Sequence, residues 1–228
     1  MTHWIVVPAA GGGRRFGGGV PKQYLELGGR PVVVHALERL LRSEPAALVV
    51  VLAPDDDRGP YLSRLDPRIL TAVGGAERVD SVRAGLAVLA GRAAPEDPVL
   101  VHDAVRPCVT LADIQALLAA ADHPGGAVLA VPVADTLKRV DDAGRVTATE
   151  SRAGLWAAQT PQLFRFAMLR EALAQAVETD SPVTDEAAAV EAAGYRPRVV
   201  PGRRDNIKIT WPCDLALAAA ILAAQELP

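Results

Sequence analysis

Short apolar runs alternate along this chain with longer segments of helical period. "WIVVP" at 4–8 is an uninterrupted run of strand length, and "PVVVHALERLLRS" at 31–43 follows as a helix, with Pro31 suited to its first turn. "ALVVVLAP" at 47–54 and "RILTAV" at 68–73 predict a second and a third strand. The next helix starts near Glu77 and puts Val79, Val82, Leu86 and Leu89 on one face. "PVLVHDAVRP" at 98–107 is a fourth strand running into a loop, after which Thr110 caps a helix with Asp113 three residues on. "GGAVLAVPV" at 125–133 is a fifth strand. Continuous apolar strands alternating with helices predict an α/β fold, Rossmann-like, with a mostly parallel sheet covered by helices on both faces.

After Val133 the pattern changes. "TLKRVDDAGRVTATES" at 136–151 predicts two polar strands around an Asp-Asp-Ala-Gly turn. The hairpin has too few apolar residues to pack on the main core, so it is expected to project as an arm, at about residues 135–160. A long two-stranded arm is marginal by itself, and a partner chain is expected to cover it. Beyond the arm a helix starts near Arg165, another is capped by Thr184 and ended by Gly194, "RPRVV" and "NIKIT" predict short strands, and a last helix follows Pro212. No repeat or second core interrupts the 228 residues, which predicts one domain carrying an arm.

Composition removes several classes of function. Half the residues are hydrophobic, 22% are charged, and the net charge is −3. That balance argues against a nucleic-acid or membrane-surface binder, which needs a basic face. The two cysteines, Cys108 and Cys213, form no CxxC pair, so zinc and redox motifs are absent and a reducing cytoplasm is expected. Arginines follow the first apolar run instead of preceding it, the wrong order for a signal peptide, and "LALAAAILAA" at 215–224 is too short to span a bilayer. Of 24 basic residues 21 are arginine, leaving Lys22, Lys138 and Lys208. Where such a chain keeps lysine, a compact point charge is favoured over a planar fork.

Candidate chemistry concentrates in "VPAAGGGRRFGGGVPKQY" at 7–24. Ligands of open parallel sheets sit beyond the carboxyl ends of the strands, and this loop follows the first strand. Glycines let backbone N–H groups approach phosphate oxygens, while Arg14, Arg15 and Lys22 add positive charge. The loop lacks the GK[ST] of Walker A, and Phe16 stands where a dinucleotide fingerprint needs glycine. It is a polyphosphate loop of a third kind.

The stretch "PAAGGGRRFG…PKQY" resembles the signature of nucleotidyltransferases that join a sugar or polyol phosphate to a nucleotide, and is most similar to the 2-C-methyl-D-erythritol 4-phosphate cytidylyltransferase family. The similarity continues through "GGAERVDSV", "VHDAVRPCV", "DTLKRV", "TPQLF", "TDEAAAVEAAG" and "GRRDNIKIT", in the family's order. The resemblance implies that CTP and methylerythritol phosphate give CDP-methylerythritol and pyrophosphate, with a divalent metal, usually Mg2+. It implies Arg15 and Lys22 as catalytic cations. It implies Ala9, Ala10, Gly11, Gly75, Ser81, Asp103 and Ala104 around CTP, although Ser81 could equally be an ordinary helical residue. Asp103 and Asp205 are the expected metal ligands. The polyol phosphate falls to Thr136, Arg152, Lys208 and Arg106, with Arg106 also able to brace its loop. Thr160 and Thr184 match nearby positions, and Thr184 is read as a cap. Thr136 and Arg152 lie on the arm and are expected to serve the second subunit of a homodimer. His102 is expected to be a packed structural histidine. Ribitol 5-phosphate as acceptor is the alternative substrate. A non-catalytic nucleotide sensor is the alternative class, disfavoured because Arg15, Lys22, Arg152 and Lys208 are all present.

Overall fold

The structure, a computed structural model, describes residues 1–11, 19–179 and 183–225. The first strand, β1 (Trp4–Pro8), is followed by a 3-10 turn at Lys22–Tyr24. A small hairpin comes next, β2 (Glu26–Leu27) and β3 (Arg30–Pro31), joined by Gly28 and Gly29 at φ 58° and 80°. Both angles lie in the left-handed region, where a side chain would be strained. Then follow α1 (Val32–Leu41), β4 (Ala47–Leu52), α2 (Gly59–Ser63), β5 (Ile69–Val73), α3 (Arg78–Leu89), β6 (Pro98–Val101), α4 (Leu111–Leu118) and β7 (Ala127–Pro132). The hairpin β8 (Leu137–Val140) and β9 (Val146–Glu150) precedes β10 (Trp156–Arg165), α5 (Phe166–Glu178), α6 (Glu186–Ala192), β11 (Arg198–Pro201) and α7 (Cys213–Gln225).

Seven strands form one sheet in the order β11-β7-β10-β6-β1-β4-β5. β1 pairs in parallel with β4 and β6, β4 with β5, and β11 with β7; β10 alone runs antiparallel, between β6 and β7. The period-two alternation of each strand decides which face its residues cover. Ile5, Val7, Leu48 and Val50 pack with Leu37 and Leu40 of α1 and Ile114 and Leu117 of α4. Trp4, Val6, Val49 and Val51 pack on the other side with Val82, Leu86 and Leu89 of α3, Leu169 and Leu173 of α5 and Val190 of α6. The sheet is therefore apolar on both faces, as the uninterrupted strand sequences require. Each fully buried large side chain stabilises this sandwich by about 1.5–3 kcal/mol relative to exposure.

Three expectations need correction. Residues 156–160 are not arm. Trp156, Ala157 and Ala158 pair with Pro132, Val131 and Ala130, so they open a central strand, and the exposed hairpin is limited to β8 and β9. "WAAQTPQLFR" carries a proline and two glutamines, which argue against a central strand. Pro161 is accommodated because the pairing register shifts between Ala158 and Gln162. The segment "NIKIT" forms no strand; Ile209 is buried and its N–H donates to Val105 O at 2.9 Å. Finally, Asp185 and not Thr184 caps α6, accepting from Ala188 N at 3.0 Å. By contrast Thr110 and Asp113 form the expected capping box of α4, and Gly194 follows α6 at φ 91°.

Candidate active site

Two adjoining clefts open at the carboxyl ends of β1 and β6. The first, about 190 Å³, is lined by Ala9, Ala10 and Gly11 after β1, by Lys22 and Gln23 of the 3-10 turn, and by Gly75 to Arg78 and Ser81 at the start of α3. Asp103, Ala104 and Lys208 close it. Every sequence-predicted nucleotide residue among the described residues faces this cleft. Arg15, like Arg14, lies outside the described residues.

Local interactions fix the walls. Gln23, buried in the 3-10 turn, donates from Nε2 to Ala9 O at 2.6 Å, and Lys22 Nζ donates to Ile209 O at 3.2 Å. Tyr24 donates its hydroxyl to Asp56 at 2.6 Å, and the Arg58 guanidinium stacks 4.3 Å from the Tyr24 ring. Three successive residues thus tie the lysine-bearing turn to the first strand, to the late loop and to the segment before α2. On the opposite wall Gly74 permits close approach: a Cβ there would lie 2.6 Å from Ser81 Oγ and 3.0 Å from the Ala10 Cβ. Ser81 is buried and its hydroxyl donates to Glu77 O at 3.3 Å, so it is both a helical residue bonded to its own turn and part of the cleft.

The second cleft, about 180 Å³, is lined by Arg106, Gln159, Thr160, Gln162, Thr184 and Asp185, with Arg78, Asp103 and Lys208 shared with the first. These three residues form the partition. Asp103 Oδ2 lies 2.8 Å from Lys208 Nζ and 3.6 Å from Arg106 Nε, and its Oδ1 accepts from Arg78 Nη2 at 3.2 Å. Burial by itself would raise the Asp103 pKa, but attraction to Arg78, Lys208 and Arg106 outweighs it and holds the carboxyl well below the usual range. Arg78 also bridges both Glu186 oxygens, through Nη1 and, at 3.0 Å, Nη2.

Behind the partition a chain of bonds holds the "HDAVR" loop. The Asp103 N–H donates to Thr160 Oγ1 at 3.0 Å, that hydroxyl lies 3.2 Å from His102 Nδ1, and His102 Nε2 lies 3.1 Å from Arg106 O. The carbonyl can only accept, so Nε2 carries the proton and Nδ1 accepts from Thr160. Burial pushes the His102 pKa down to about 4, keeping the ring neutral. His102 is the packed structural histidine expected from the sequence. Arg106 lines the second cleft and braces the late loop, donating to Asn206 O at 2.7 Å.

Other expected residues lie elsewhere. Thr136 and Arg152 are exposed at the hairpin and line neither cleft. Asp205 is turned away from the partition: its carboxylate accepts from Arg203 Nε at 2.9 Å and from Gln225 Nε2 at 3.2 Å, and it lines neither cleft. Asp103 and Asp205 therefore line no common cleft. Arg78, Glu186 and Gln23 carry much of the geometry without having been singled out by the sequence. Arg78 lies in "GGAERVDSV", but one arginine among 21 has no compositional signal. Glu186 is an acid in the first turn of a helix, a common placement that marks no site.

A backbone-floored cleft at the carboxyl edge of a mostly parallel sheet, partitioned by ion-paired cations from a second polar cleft, defines a nucleotide-binding protein of the nucleotidyltransferase class. The family model of 2-C-methyl-D-erythritol 4-phosphate cytidylyltransferase (IspD) matches residues 3–224. The chain belongs to that family. It is 53% identical to the cytidylyltransferase of that name from Dechloromonas aromatica, over 98% of this chain and 99% of the relative. It superposes on a crystal structure of a 4-diphosphocytidyl-2C-methyl-D-erythritol synthase with a TM-score of 0.85 and 38% identity, covering 97% of this chain and 98% of the other. The Thermus thermophilus cytidylyltransferase structure gives 0.81 at 34% identity, covering 98% and 100%.

Proposed function

We propose that the protein transfers the cytidylyl group of CTP to 2-C-methyl-D-erythritol 4-phosphate, releasing pyrophosphate, as a step of non-mevalonate isoprenoid synthesis. The observation that carries the reading is the partition of Arg78, Asp103 and Lys208 between two clefts. The nucleotide occupies the first cleft and the polyol phosphate the second. A phosphate oxygen of the acceptor attacks the α-phosphorus of CTP, the bond to the bridging oxygen breaks, and pyrophosphate leaves. No protein nucleophile is needed. Two anions must be brought together, so catalysis is positioning and charge stabilisation. Lys22, with Arg15, stabilises the triphosphate and the leaving pyrophosphate. Lys208 and Arg106 hold the acceptor phosphate, beside the hydroxyls of Thr160 and Thr184.

Mg2+ is the proposed divalent metal. Among the described residues no group of three or more His, Cys, Asp or Glu side chains could hold a metal. Of the two expected ligands only Asp103 lines the first cleft, where a magnesium ion held by one carboxylate and the substrate phosphates would have to displace one of its cation contacts. Bound there, the ion would neutralise triphosphate charge.

The exposed arm supports a homodimer. Val140, Val146, Leu155 and Trp156 are 42–61% exposed on and beside the hairpin, more apolar surface than a solvated arm needs. Thr136 and Arg152 then act in the partner's acceptor cleft. No helix among the described residues is long and apolar enough to cross a membrane, and we place the enzyme in the cytoplasm. The test is pyrophosphate release with CTP and Mg2+, comparing methylerythritol phosphate with ribitol 5-phosphate. Release with the first acceptor is expected. Release with ribitol phosphate alone would reassign the substrate, and release with neither would favour a nucleotide sensor.

A further inference from the structure

Arg78 and Glu186 are the first residues of α3 and α6, so their ion pair joins two helix N-termini. The turn before α3 lines the nucleotide cleft, and the residues before α6, Thr184 and Asp185, line the acceptor cleft. Glu186 has a side chain only 1% exposed and touches no cleft, whereas Arg78 is 30% exposed and faces both. A buried ion pair is weak support for stability, since hydrophobic replacements of similar volume often serve as well. Its place between the clefts suggests another use.

We propose that Glu186 and Arg78 are positioning residues for cytidylyl transfer: Glu186 orients the Arg78 guanidinium, which fixes the Asp103 carboxylate, and with it Lys208, on the wall between nucleotide and acceptor. This rests on the cytidylyltransferase reading. The geometry needs a planar fork. One guanidinium spans both Glu186 oxygens and Asp103 Oδ1, which a single ammonium cannot reproduce. Without the strut, Asp103 keeps Arg106 and Lys208 but loses the bond that sets its angle. Lys208 then follows Asp103 toward Arg106, away from the point where the two phosphates meet. The effect belongs to the chemical step, since the backbone that lines the nucleotide cleft is held independently by the α3 capping box and by Gln23.

The experiment compares wild type, Arg78→Lys and Glu186→Gln. CTP affinity is measured by isothermal titration, turnover by pyrophosphate release, and fold by far-UV circular dichroism. Both variants are expected to bind CTP within about threefold of wild type while kcat falls about 10- to 100-fold, the scale of a misplaced reacting group. If Glu186→Gln does not fold, Arg78→Lys carries the test, since its side chain is partly exposed and keeps the charge. A folded Arg78→Lys protein with kcat near wild type overturns the proposal. So does a fall in CTP affinity that matches the fall in kcat. An inactive wild type would remove the cytidylyltransferase reading itself, and this inference with it; active wild type with unaffected variants removes only the positioning role.

Discussion

Lys208 Nζ lies 2.8 Å from Asp103 Oδ2, which ties the loop before α7 to the end of β6. The Asp103 carboxylate thereby keeps three cations together before any substrate phosphate arrives. On the proposed function, a phosphate entering the second cleft would compete with it for Lys208 and Arg106.

Replacing Lys208 with Met should lower turnover about 100-fold, the scale for removing one preorganised electrostatic group. Stability should change by no more than about 1 kcal/mol, because the Lys208 side chain is 43% exposed and Asp103 keeps two other cations. Steady-state kinetics should show KM rising more for the polyol phosphate than for CTP.

Acid should destabilise the protein through His102. Its folded pKa of about 4 lies below the ordinary 6.5, so between these values the unfolded chain binds the extra proton. The stability from the neutral ring is complete above pH 6.5 and is lost as the pH falls toward 4. By linkage the loss between pH 8 and pH 5 is about 2 kcal/mol from this group. Urea titrations in EDTA at the two pH values should show it, and His102→Gln should flatten the difference. An equal slope in both proteins would exclude His102 as its source. His3, whose pKa is also lowered by burial, contributes with the same sign in both.

Gly74→Ala and Gly11→Ala should separate sharply. A methyl group at Gly74 would meet Ser81 Oγ, Ala10 and Val51, whereas at Gly11 it would meet nothing within 4 Å among the described residues. Thermal unfolding should show a loss of about 1–3 kcal/mol for Gly74→Ala, the usual cost of overpacking, and little change for Gly11→Ala. Gly74→Ala should also raise KM for CTP.

Tyr24→Phe removes the hydroxyl bond to Asp56 but keeps the ring under Arg58. The expected cost is about 1–2 kcal/mol of stability, with a few-fold drop in turnover as the turn bearing Lys22 loosens. Lys22→Ala should lower turnover far more at nearly unchanged stability. Parallel melting and kinetic measurements distinguish positioning from direct action.

Arg152→Ala and Lys22→Ala proteins, each nearly inactive alone, should recover activity when mixed. A heterodimer sharing arms would contain one intact cleft with an intact arm. Absence of recovery, with subunit exchange shown by mass spectrometry, would count against arms that serve the partner.

Most of the sheet was legible because its strands are unbroken apolar runs, and a strand buried on both faces can be written in no other way. The small residues that floor the first cleft were legible too. Backbone contacts need small residues after a strand, and "PAAGGG" supplies them in one contiguous stretch. β10 was not legible, because two glutamines and a proline hide a central strand. Their acceptability depends on distant partners: Gln159 bonds Arg203 O, and Gln162 bonds Asp185 and the Ala187 N–H.

The sequence by itself determined the α/β alternation, the polar hairpin, the start of α3 near Glu77, the cap at Thr110 and the glycine-rich loop after β1. These depend on periodicity and on neighbours a few residues apart. Tertiary structure alone decided that Asp103 meets Arg78, Lys208 and Arg106, that Glu186 lies behind Arg78, and that Asp205 turns toward Arg203 and Gln225. The reason is electrostatic. A carboxylate's partner is whichever cation the fold delivers within a few ångströms, and sequence separation holds no record of that distance.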